Sequence, residues 1–508
     1  MNLVATLAEQ GLLAIKAPED HADRVVRIPQ LPRLHDAATV PGLVALQDHT
    51  PVGLLDACGS ADGRSVCPFA GLLVQYEEAP LLAGASQEDI VPDRETLLDR
   101  FCRYVRVDTQ SSETSATYPS TEQQKDLLRI LVDDLKAAGL ADAGMDQWGY
   151  VMATLPANIP ESHPVHGRVP VIGLVAHVDT YPEVSGTAVK PQVHRHYDGG
   201  DIALPGDPSV VLRAAEEPAL AACAGMTIIT ADGTTLLGAD DKAGVAEILE
   251  ALWRFKEDPS RLHGTIRVAF TPDEEVGRGT EHFDVKTFGA AYAYTLDGSA
   301  SGELVSETFC ADSASVTVCG ADVHAGYAKG KMVNAVRVLC DLVTALPQHR
   351  TPETTEKREG YLHPTTMSGN VSEARAGFIV RDFTEEGLHA LEKTLTTAAT
   401  WVEHKYPGAK IEVRTKESYR NMKYILDQYP QVTEYADEAI RRAGLTVERS
   451  PIRGGTDGAR LTFMGVPTPN LSDGSMNFHG KKEWVPLEWM EQSVETVLHL
   501  MDVWVEKT

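Results

Sequence analysis

The chain has 508 residues, of which 43% are apolar, and its formal net charge at pH 7 is −27. This length exceeds what one compact core accommodates, so we expect at least two domains of an ordinary α/β protein. The negative charge argues against nucleic acid or an anionic membrane as a partner. No apolar run reaches the roughly 18 residues of a membrane span.

The N-terminal segment, residues 1–92, differs from the rest of the chain because Pro and Gly recur in it without strong periodicity. Glu9 interrupts its first apolar stretch and no basic start precedes it, so we predict no secretory signal. We predict an extension of unknown role, either poorly ordered or a small accessory piece on the main body.

The seven cysteines are an odd number, widely spaced and without a Cys-x-x-Cys pair. This pattern is typical of reduced thiols, and Cys58 and Cys67 in the N-terminal segment are predicted to be unpaired as well. We therefore predict a cytoplasmic protein.

Residues 93–308 alternate between helical and strand patterns, which predicts the first part of an α/β sandwich with a mixed, largely parallel sheet. Residues 120–123 read Ser-Thr-Glu-Gln, a capping box that predicts a helix start. The continuous apolar run 171–176 predicts a strand buried on both faces. Further helices are predicted at 95–105 and 245–255, and further strands at 265–270 and 291–296.

Residues 309–415 form a second pattern of three strands and two helices, which predicts an inserted α+β domain of the ferredoxin-like kind if a further strand is present. The predicted strands are 313–319, 377–383 and 411–415, and the predicted helices are 333–346 and 385–404. Residues 416–508 are predicted to return to the first domain, with helices at 424–443 and 486–505.

Titratable side chains follow several of the predicted strands. His177 and Asp179 come two residues apart after the buried strand, so an extended backbone points both the same way. An imidazole beside a carboxylate is a familiar metal-ligand arrangement, in which the acid orients the ring. Glu274 and Glu275 follow the strand 265–270, and adjacent residues there face opposite sides. One can therefore bind metal while the other acts as a base.

Asp240 and Asp241 open a predicted helix, where the helix dipole alone would favour acids. Together with the other candidates, however, Asp240 would crowd five acids and two histidines at one edge of a sheet. Like-charge repulsion makes such a cluster costly unless cations neutralise it, so the pattern implies a pair of dications. Nitrogen and oxygen ligands without cysteine suit zinc, with manganese or cobalt as alternatives. The candidates are His177, Asp179, Asp240, Glu274, Glu275, Asp297 and His479.

Four stretches resemble the tripeptide aminopeptidases of the peptidase T group, within the M20 family of dizinc metallopeptidases. They are AHVDT at 176–180, TTLLGADDKAG at 234–244, FTPDEEVG at 270–277 and PIRGGTDG at 451–458. The resemblance runs from about residue 93 to the C-terminus. It implies two zinc ions per subunit, a short peptide as substrate, and a lid formed by residues 309–415.

The resemblance also implies a role for each candidate. His177 would bind one zinc ion with its ring held by Asp179, and Asp240 would bridge the two ions. Glu274 would be the general base. The remaining implied metal ligands are Glu275, Asp297 and His479. The family has a cis peptide after the bridging acid, so we expect one between Asp240 and Asp241.

In the insert, His324 within Val-His-Ala-Gly resembles the family's histidine that stabilises the oxyanion, although Ala325 stands where the family usually has Pro. Arg381 matches an arginine that holds the substrate's C-terminal carboxylate; a surface arginine on a solvated strand is the alternative. Asn334 and Arg453 are further candidates for substrate contact. An exposed edge strand of the insert could support a homodimer.

Three alternatives within the family share the metal core: a dipeptidase, a carboxypeptidase and an N-acyl amino acid deacylase. A non-catalytic relative that binds peptides is the alternative from another class. Such chains typically lose a ligand or the base, whereas every one is present here.

Overall fold

The computed structural model describes residues 95–508 and, before them, the backbone of two short strand pairs. Strand β1 (Leu13–Ile15) pairs with β2 (Arg24–Val26), and β3 (Gly59–Ala61) pairs with β4 (Arg64–Val66), both antiparallel. The chain divides into two units, 1–94 and 95–508. Most of the predicted extension, including Cys58 and Cys67, lies outside the described residues.

A seven-stranded mixed sheet forms the centre of the larger unit, with strand order β14-β19-β13-β7-β12-β6-β5. The neighbouring strands β19, β13, β7 and β12 run parallel, while β6, β5 and β14 are antiparallel to their neighbours. The strands are β5 (Gly144–Met145), β6 (Val151–Leu155), β7 (Ile172–His177), β12 (Ile266–Thr271), β13 (Tyr292–Leu296), β14 (Leu304–Val305) and β19 (Asn470–Leu471).

Helices cover both faces of this sheet, as the continuous apolar run of β7 predicts. Leu174 and Ala176 belong to the larger core, whereas Val175 between them belongs to a core with Phe288 and Leu461 on the other face. Outside residues 309–415, the helices of this unit are α1 (Leu97–Val105), α2 (Gln124–Ala137), α3 (Pro218–Ala222), α4 (Ala239–Glu257), α5 (Val285–Phe288), α8 (Lys423–Leu426), α9 (Pro430–Arg442), α10 (Asp457–Phe463) and α11 (Leu487–Lys507).

The predicted capping box is wrong. Helix α2 begins only at Gln124, and Gln123 before it makes no side-chain capping bond. The Ser120 N–H instead donates to Asp273 Oδ2 at 2.6 Å, and Gln124 Nε2 donates to Asp273 Oδ1 at 2.7 Å. The buried carboxylate of Asp273, which is far away in sequence, therefore accepts the hydrogen bond that a local cap would have accepted from Ser120.

The predicted helix 424–443 is two helices, α8 and α9. Pro430 stands at the first position of α9, where its missing N–H costs nothing. The residue before a proline disfavours helical geometry, and Tyr429 has φ −128° and ψ 60°. The proline therefore ends one helix and starts the next.

The insert contains the predicted elements and one further strand. Its four-stranded antiparallel sheet has the order β16-β17-β15-β18, which is the ferredoxin-like order. Its elements are β15 (Cys310–Cys319), α6 (Ala335–Ala345), β16 (Tyr361–Gly369), β17 (Glu373–Asp382), α7 (Glu385–Lys405) and β18 (Lys410–Tyr419). Both helices share one apolar core with the sheet.

Two small sheets complete the larger unit, one with the order β20-β11-β8 and a hairpin of β9 and β10. Their strands are β8 (Gln192–His194), β9 (Ile202–Ala203), β10 (Val211–Leu212), β11 (Ile228–Thr230) and β20 (Trp484–Pro486). Across the described residues, no helix combines the length and apolar character that crossing a bilayer requires. The cysteines of residues 95–508 are all free thiols.

Candidate metal centre

Three adjacent parallel strands end at the same edge of the large sheet, and the predicted site residues follow them. His177 is the last residue of β7 and lies opposite Thr271, the last residue of β12. Glu274 and Glu275 follow β12, and Asp297 directly follows β13. The carboxyl ends of parallel strands therefore gather these side chains, as expected for an open α/β sheet.

The side chains meet around the carboxylate of Asp240. His177 Nε2 lies 3.0 Å from Asp240 Oδ1 and 3.9 Å from Asp297 Oδ1. His479 Nε2 lies 3.3 Å from Asp240 Oδ2 and 2.8 Å from Glu275 Oε2. The structure thus brings all five predicted metal ligands into one connected group.

Asp179 is fully buried and supports this group from behind. Its two carboxylate oxygens accept hydrogen bonds from the backbone N–H groups of Glu274, at 2.9 Å, and Glu275, at 3.1 Å. Asp179 Oδ1 also lies 3.4 Å from Nδ1 of His177. His177 Nδ1 also lies 3.1 Å from the backbone carbonyl oxygen of Asp179. Asp179 therefore orients the imidazole with its backbone and its side chain, and its carboxylate holds the backbone of the two glutamates.

The segment that carries Asp240 leaves regular helical geometry at the start of α4. Gly238 has φ 80°, a left-handed conformation that favours glycine, and Asp240 has ψ 104°. The peptide bond between Asp240 and Asp241 is cis, as expected. Asp241 Oδ2 accepts the backbone N–H of His177 at 2.9 Å, so this second acid fixes the end of β7.

Gly244 lets α4 approach the sheet at this point, and we expect Gly244→Ala to disturb it. An added Cβ would lie 2.0 Å from the Leu296 carbonyl oxygen and 2.3 Å from Asp241 Oδ1. Overpacking of this kind costs about 1–3 kcal/mol, which urea unfolding of the metal-free protein would measure.

The matched control for this substitution is Gly144→Ala. The nearest atom to a Cβ at Gly144 is the Asp142 carbonyl oxygen, 3.8 Å away. We expect its free energy of unfolding to stay within about 0.5 kcal/mol of wild type. Equal stability of the Gly244 and Gly144 variants would contradict the close approach.

Burial dominates the electrostatics of the carboxylates. It raises the pKa of Glu274 and of Asp297 well above their usual values, and neighbouring acids add to the effect. Burial likewise raises the pKa of Glu275 to about 7. Without cations, the site therefore favours protons on its carboxyl groups.

For His479 and Asp240, hydrogen bonds outweigh burial in setting the pKa. Burial lowers the pKa of His479, but its hydrogen bonds to Asp240 and Glu275 outweigh burial and raise the pKa to about 10. Hydrogen bonds with His177 and His479 hold the pKa of Asp240 below its usual value in spite of burial. Asp240 is thus the ionised carboxylate between two imidazoles.

The donor set fits a pair of dications. One group of ligand atoms within 4.8 Å of one another comes from His177, Asp240 and Glu275, and a second comes from His177, Asp241 and Asp297. The buried oxygens Glu275 Oε1 and Asp241 Oδ1 have no hydrogen-bond partner. Buried polar atoms are normally satisfied, so these orphaned oxygens agree with bound cations.

The remaining predicted site residues make other contacts. Among the described residues, His324 has no hydrogen bond or ion pair to the carboxylate group; its Nδ1 accepts the Gly326 N–H at 3.1 Å. Arg381 Nη1 donates to the carbonyl oxygens of Asp312 and Val380, and its guanidinium lies 5.5 Å from the Tyr419 ring centre. The other two guanidinium nitrogens, Nε and Nη2, take no part in these two hydrogen bonds.

Asn334 and Arg453 are occupied by structural contacts. Asn334 caps α6, where its Oδ1 accepts the Arg337 N–H at 3.3 Å. Arg453 donates to the carbonyl oxygens of Lys357 and Glu359, both at 2.9 Å. Their substrate contacts stay predictions.

Three residues near the centre were not predicted. Tyr181 stacks on the ring of His479, with 4.2 Å between the ring centres. Lys242 is buried, its Nζ donates to the Val107 carbonyl oxygen, and burial lowers its pKa to about 8. Glu483 is also buried, and burial raises its pKa to about 7. Lys242 lies inside the stretch TTLLGADDKAG at 234–244 and could have been predicted from it. Nothing in the spacing of the sequence marks Tyr181 or Glu483.

Known proteins are similar to this chain over most of its length. A family model described as Peptidase family M20/M25/M40 matches residues 231–503. Peptidase T of Geobacillus thermodenitrificans is 44% identical over 415 residues, which is 82% of this chain and 100% of the relative. Peptidase T of Clostridium acetobutylicum is 45% identical over 413 residues, 81% of this chain and 100% of the relative.

The chain belongs to peptidase family M20/M25/M40. Among solved structures, a tripeptidase from Staphylococcus aureus covers 81% of this M20 peptidase and 98% of its own chain, with a TM-score of 0.62 and 24% identity. Aminopeptidase PepT from Bacillus cereus covers 80% of this chain and 98% of its own, with a TM-score of 0.61 and 23% identity. These structures share the fold of the M20 peptidase.

Proposed function

We propose that this M20 peptidase is a cytoplasmic dizinc aminopeptidase that releases the N-terminal residue of tripeptides. The observation that carries the proposal is the group around Asp240, in which two histidines contact opposite oxygens of one carboxylate. A carboxylate placed in this way suits a bridge between two ions. The curated relatives named Peptidase T match along their full length, which supports the substrate class.

In this proposal, His177 and Asp297 would hold one ion, Glu275 and His479 would hold the other, and Asp240 would be a ligand of both. When bound, such ions lower the pKa of water and polarise the scissile carbonyl. The donor set contains only imidazole and carboxylate groups, which suits zinc, with manganese or cobalt as alternatives.

Glu274 is the proposed general base. Its backbone is fixed by Asp179, and desolvation raises the pKa of its partly buried carboxyl group, both of which suit proton transfer near neutral pH. Glu274 takes a proton from the attacking water and delivers it to the amine that leaves. Asp179 keeps the His177 ring in one orientation throughout.

The insert, residues 309–415, acts in this proposal as a lid. His324 lies beside the exposed Tyr327, in a loop without contacts to the carboxylate group, so its predicted oxyanion role requires closure. Arg381 has guanidinium nitrogens left for a substrate carboxylate. The edge strands β16 and β18 could support a homodimer.

An assay of the purified protein on free di-, tri- and tetrapeptides beside N-blocked peptides tests the proposed specificity. We expect turnover of free tripeptides, with release of the N-terminal residue. Preference for N-blocked substrates would favour the deacylase, preference for dipeptides the dipeptidase, and release of the C-terminal residue the carboxypeptidase. Peptide binding without turnover by the zinc-loaded protein would favour the non-catalytic relative.

We expect Arg381→Ala to lower kcat/KM for a free tripeptide by about 10- to 100-fold, because hydrogen bonds to a charged group contribute about 1.5–3 kcal/mol. The same tripeptide with a C-terminal amide should lose only a few-fold, since it lacks the carboxylate. Steady-state kinetics on both peptides measures the difference.

The matched control for Arg381 is Arg375→Ala. Arg375 lies on the same strand, β17, but pairs with Glu373 on the surface. We expect wild-type kinetics from this control. An equal loss on the acid and the amide in the Arg381 variant would remove its carboxylate role.

A further inference from the structure

Glu483 lies beneath the metal centre and holds the segment that carries Asp240. Its side chain is buried, with 1% of the residue exposed. Glu483 Oε2 accepts the backbone N–H groups of Leu237, at 2.8 Å, and Gly238, at 2.7 Å. Oε1 accepts the N–H of Asp240 at 3.0 Å. Three backbone N–H groups within residues 237–240 are thus held by one carboxylate.

This segment has no regular secondary structure of its own to fix it. Gly238 is left-handed and Asp240 is not helical, so the N–H groups at this helix start have no intrahelical partners. A carboxylate that accepts hydrogen bonds with both oxygens fixes the position of the segment and also its rotation. Charge-assisted bonds of this kind are about twice as strong as neutral ones.

Glu483 also belongs to the loop that carries His479. The backbone N–H of Glu483 donates to the Gly480 carbonyl oxygen at 3.3 Å, and Met476 pairs with Trp484 across the loop. Only three residues separate Glu483 from His479. The Glu483 side chain therefore joins the Asp240 segment to the His479 loop, and these two segments carry side chains 3.3 Å apart at the metal centre.

We propose that Glu483 is a positioning residue for the metal site: it clamps the Asp240 segment to the His479 loop and thereby sets the geometry of the ion that both side chains hold. The inference rests on the proposed function, since it takes Asp240 and His479 as ligands. Glu483 itself touches neither ion nor substrate. Its length matters as well as its charge, because the carboxylate must reach three N–H groups at once.

The test titrates the full-length, metal-free protein with Co²⁺. The readouts are the number of ions bound, their affinities by calorimetry and the visible absorption spectrum of the bound Co²⁺. Two variants are compared with wild type. Glu483→Gln loses the charge and turns an NH₂ group toward backbone donors, whereas Glu483→Asp keeps the charge but loses reach.

We expect both variants to bind the His479-side ion about 10- to 100-fold more weakly, as for other residues that orient ligands. The spectrum of that ion should also change. The matched control is Glu488→Gln, because the Glu488 carboxylate accepts the Thr227 N–H at 2.9 and 3.0 Å, away from the Asp240 segment. The control should bind both ions as wild type does.

Three outcomes would overturn the clamp. The first is wild-type affinity and spectrum in both Glu483 variants, and the second is wild-type behaviour of Glu483→Asp alone, which would leave only a charge effect. The third is equal weakening in Glu488→Gln, which would mean a general structural effect. Should Glu483→Gln not fold, Glu483→Asp decides by the same measurements.

No peptide enters these measurements, so an error in the substrate class leaves the inference intact. Wild-type protein that binds fewer than two ions would instead remove the dimetal part of the proposed function. The two failures are therefore distinguishable.

Discussion

Replacing Glu274 with Gln is expected to lower kcat for a tripeptide by about 10²- to 10⁴-fold, the usual contribution of a general base. The amide cannot take a proton from water, although it has nearly the shape of the carboxylate. The backbone N–H of Glu274 donates to Asp179 and is unaffected by the change. The metal content should therefore stay at two ions, and kinetics with metal analysis on the same sample measures both quantities.

The matched control for Glu274 is Glu281→Gln. Glu281 follows the same strand but forms a half-exposed ion pair with Arg278, so we expect wild-type kcat from it. Retained turnover in the Glu274 variant with metal bound would falsify its role as base. Lost turnover together with lost metal would make Glu274 a ligand instead.

Local sequence patterns predicted the strands of the large sheet well, for a physical reason. Strand β7 is apolar along its length because it is buried on both faces, and such a run is visible in the sequence. Parallel strands then bring their carboxyl ends to one edge, so His177, Glu275 and Asp297 could be grouped before any distance was known. The tight turn at Gly238 is likewise encoded in its own residue type.

The failures arose where partners are distant in sequence. Ser120 was predicted to cap α2, but Asp273, 153 residues away, takes its N–H. Glu483 accepts hydrogen bonds from residues 243 to 246 positions earlier. Hydrogen bonds between remote segments leave no periodicity or spacing from which to infer them.

The metal ligands and the residues that orient them differ in the same way. The ligand residues are recognisable by type, because only certain side chains can hold a dication. The groups that orient them can be any acceptor or donor within reach, and Asp179 and Glu483 orient backbone as well as side chains. The precision of the centre therefore depends on contacts that only the folded chain reveals.

Removing the metal is expected to abolish tripeptide turnover and to destabilise the protein. Ions at such sites contribute several kcal/mol of transition-state stabilisation, so activity should fall by about 10³-fold or more. A ligand present at 1,000 times its Kd stabilises the folded state by about 4 kcal/mol. Activity and urea unfolding, measured before and after chelation and again after Zn²⁺, Mn²⁺ or Co²⁺ is restored, test both effects.

The stabilisation by metal should also depend on pH. Without cations, the carboxylates of the site repel one another once they ionise. Burial raises the pKa of Glu275 to about 7 and that of Asp457 to about 6, above their values in the unfolded chain. An acid with a raised pKa destabilises the folded state as pH rises through that range. His479, with its pKa raised from 6.5 to about 10, contributes stability that is complete below pH 6.5 and is lost as the pH rises towards 10, so it acts in the same direction.

The metal-free protein should therefore be less stable at pH 8 than at pH 5.5, and added zinc should stabilise it more at pH 8. The control is Asp240→Asn, which lacks the carboxylate between the two histidines and should respond little to chelator or zinc at either pH. Metal-free protein of equal stability at both pH values, with no gain from zinc, would mean that the carboxylates tolerate one another without cations. The dimetal assignment would then have no electrostatic basis, because repulsion among buried acids is what the two ions are proposed to relieve.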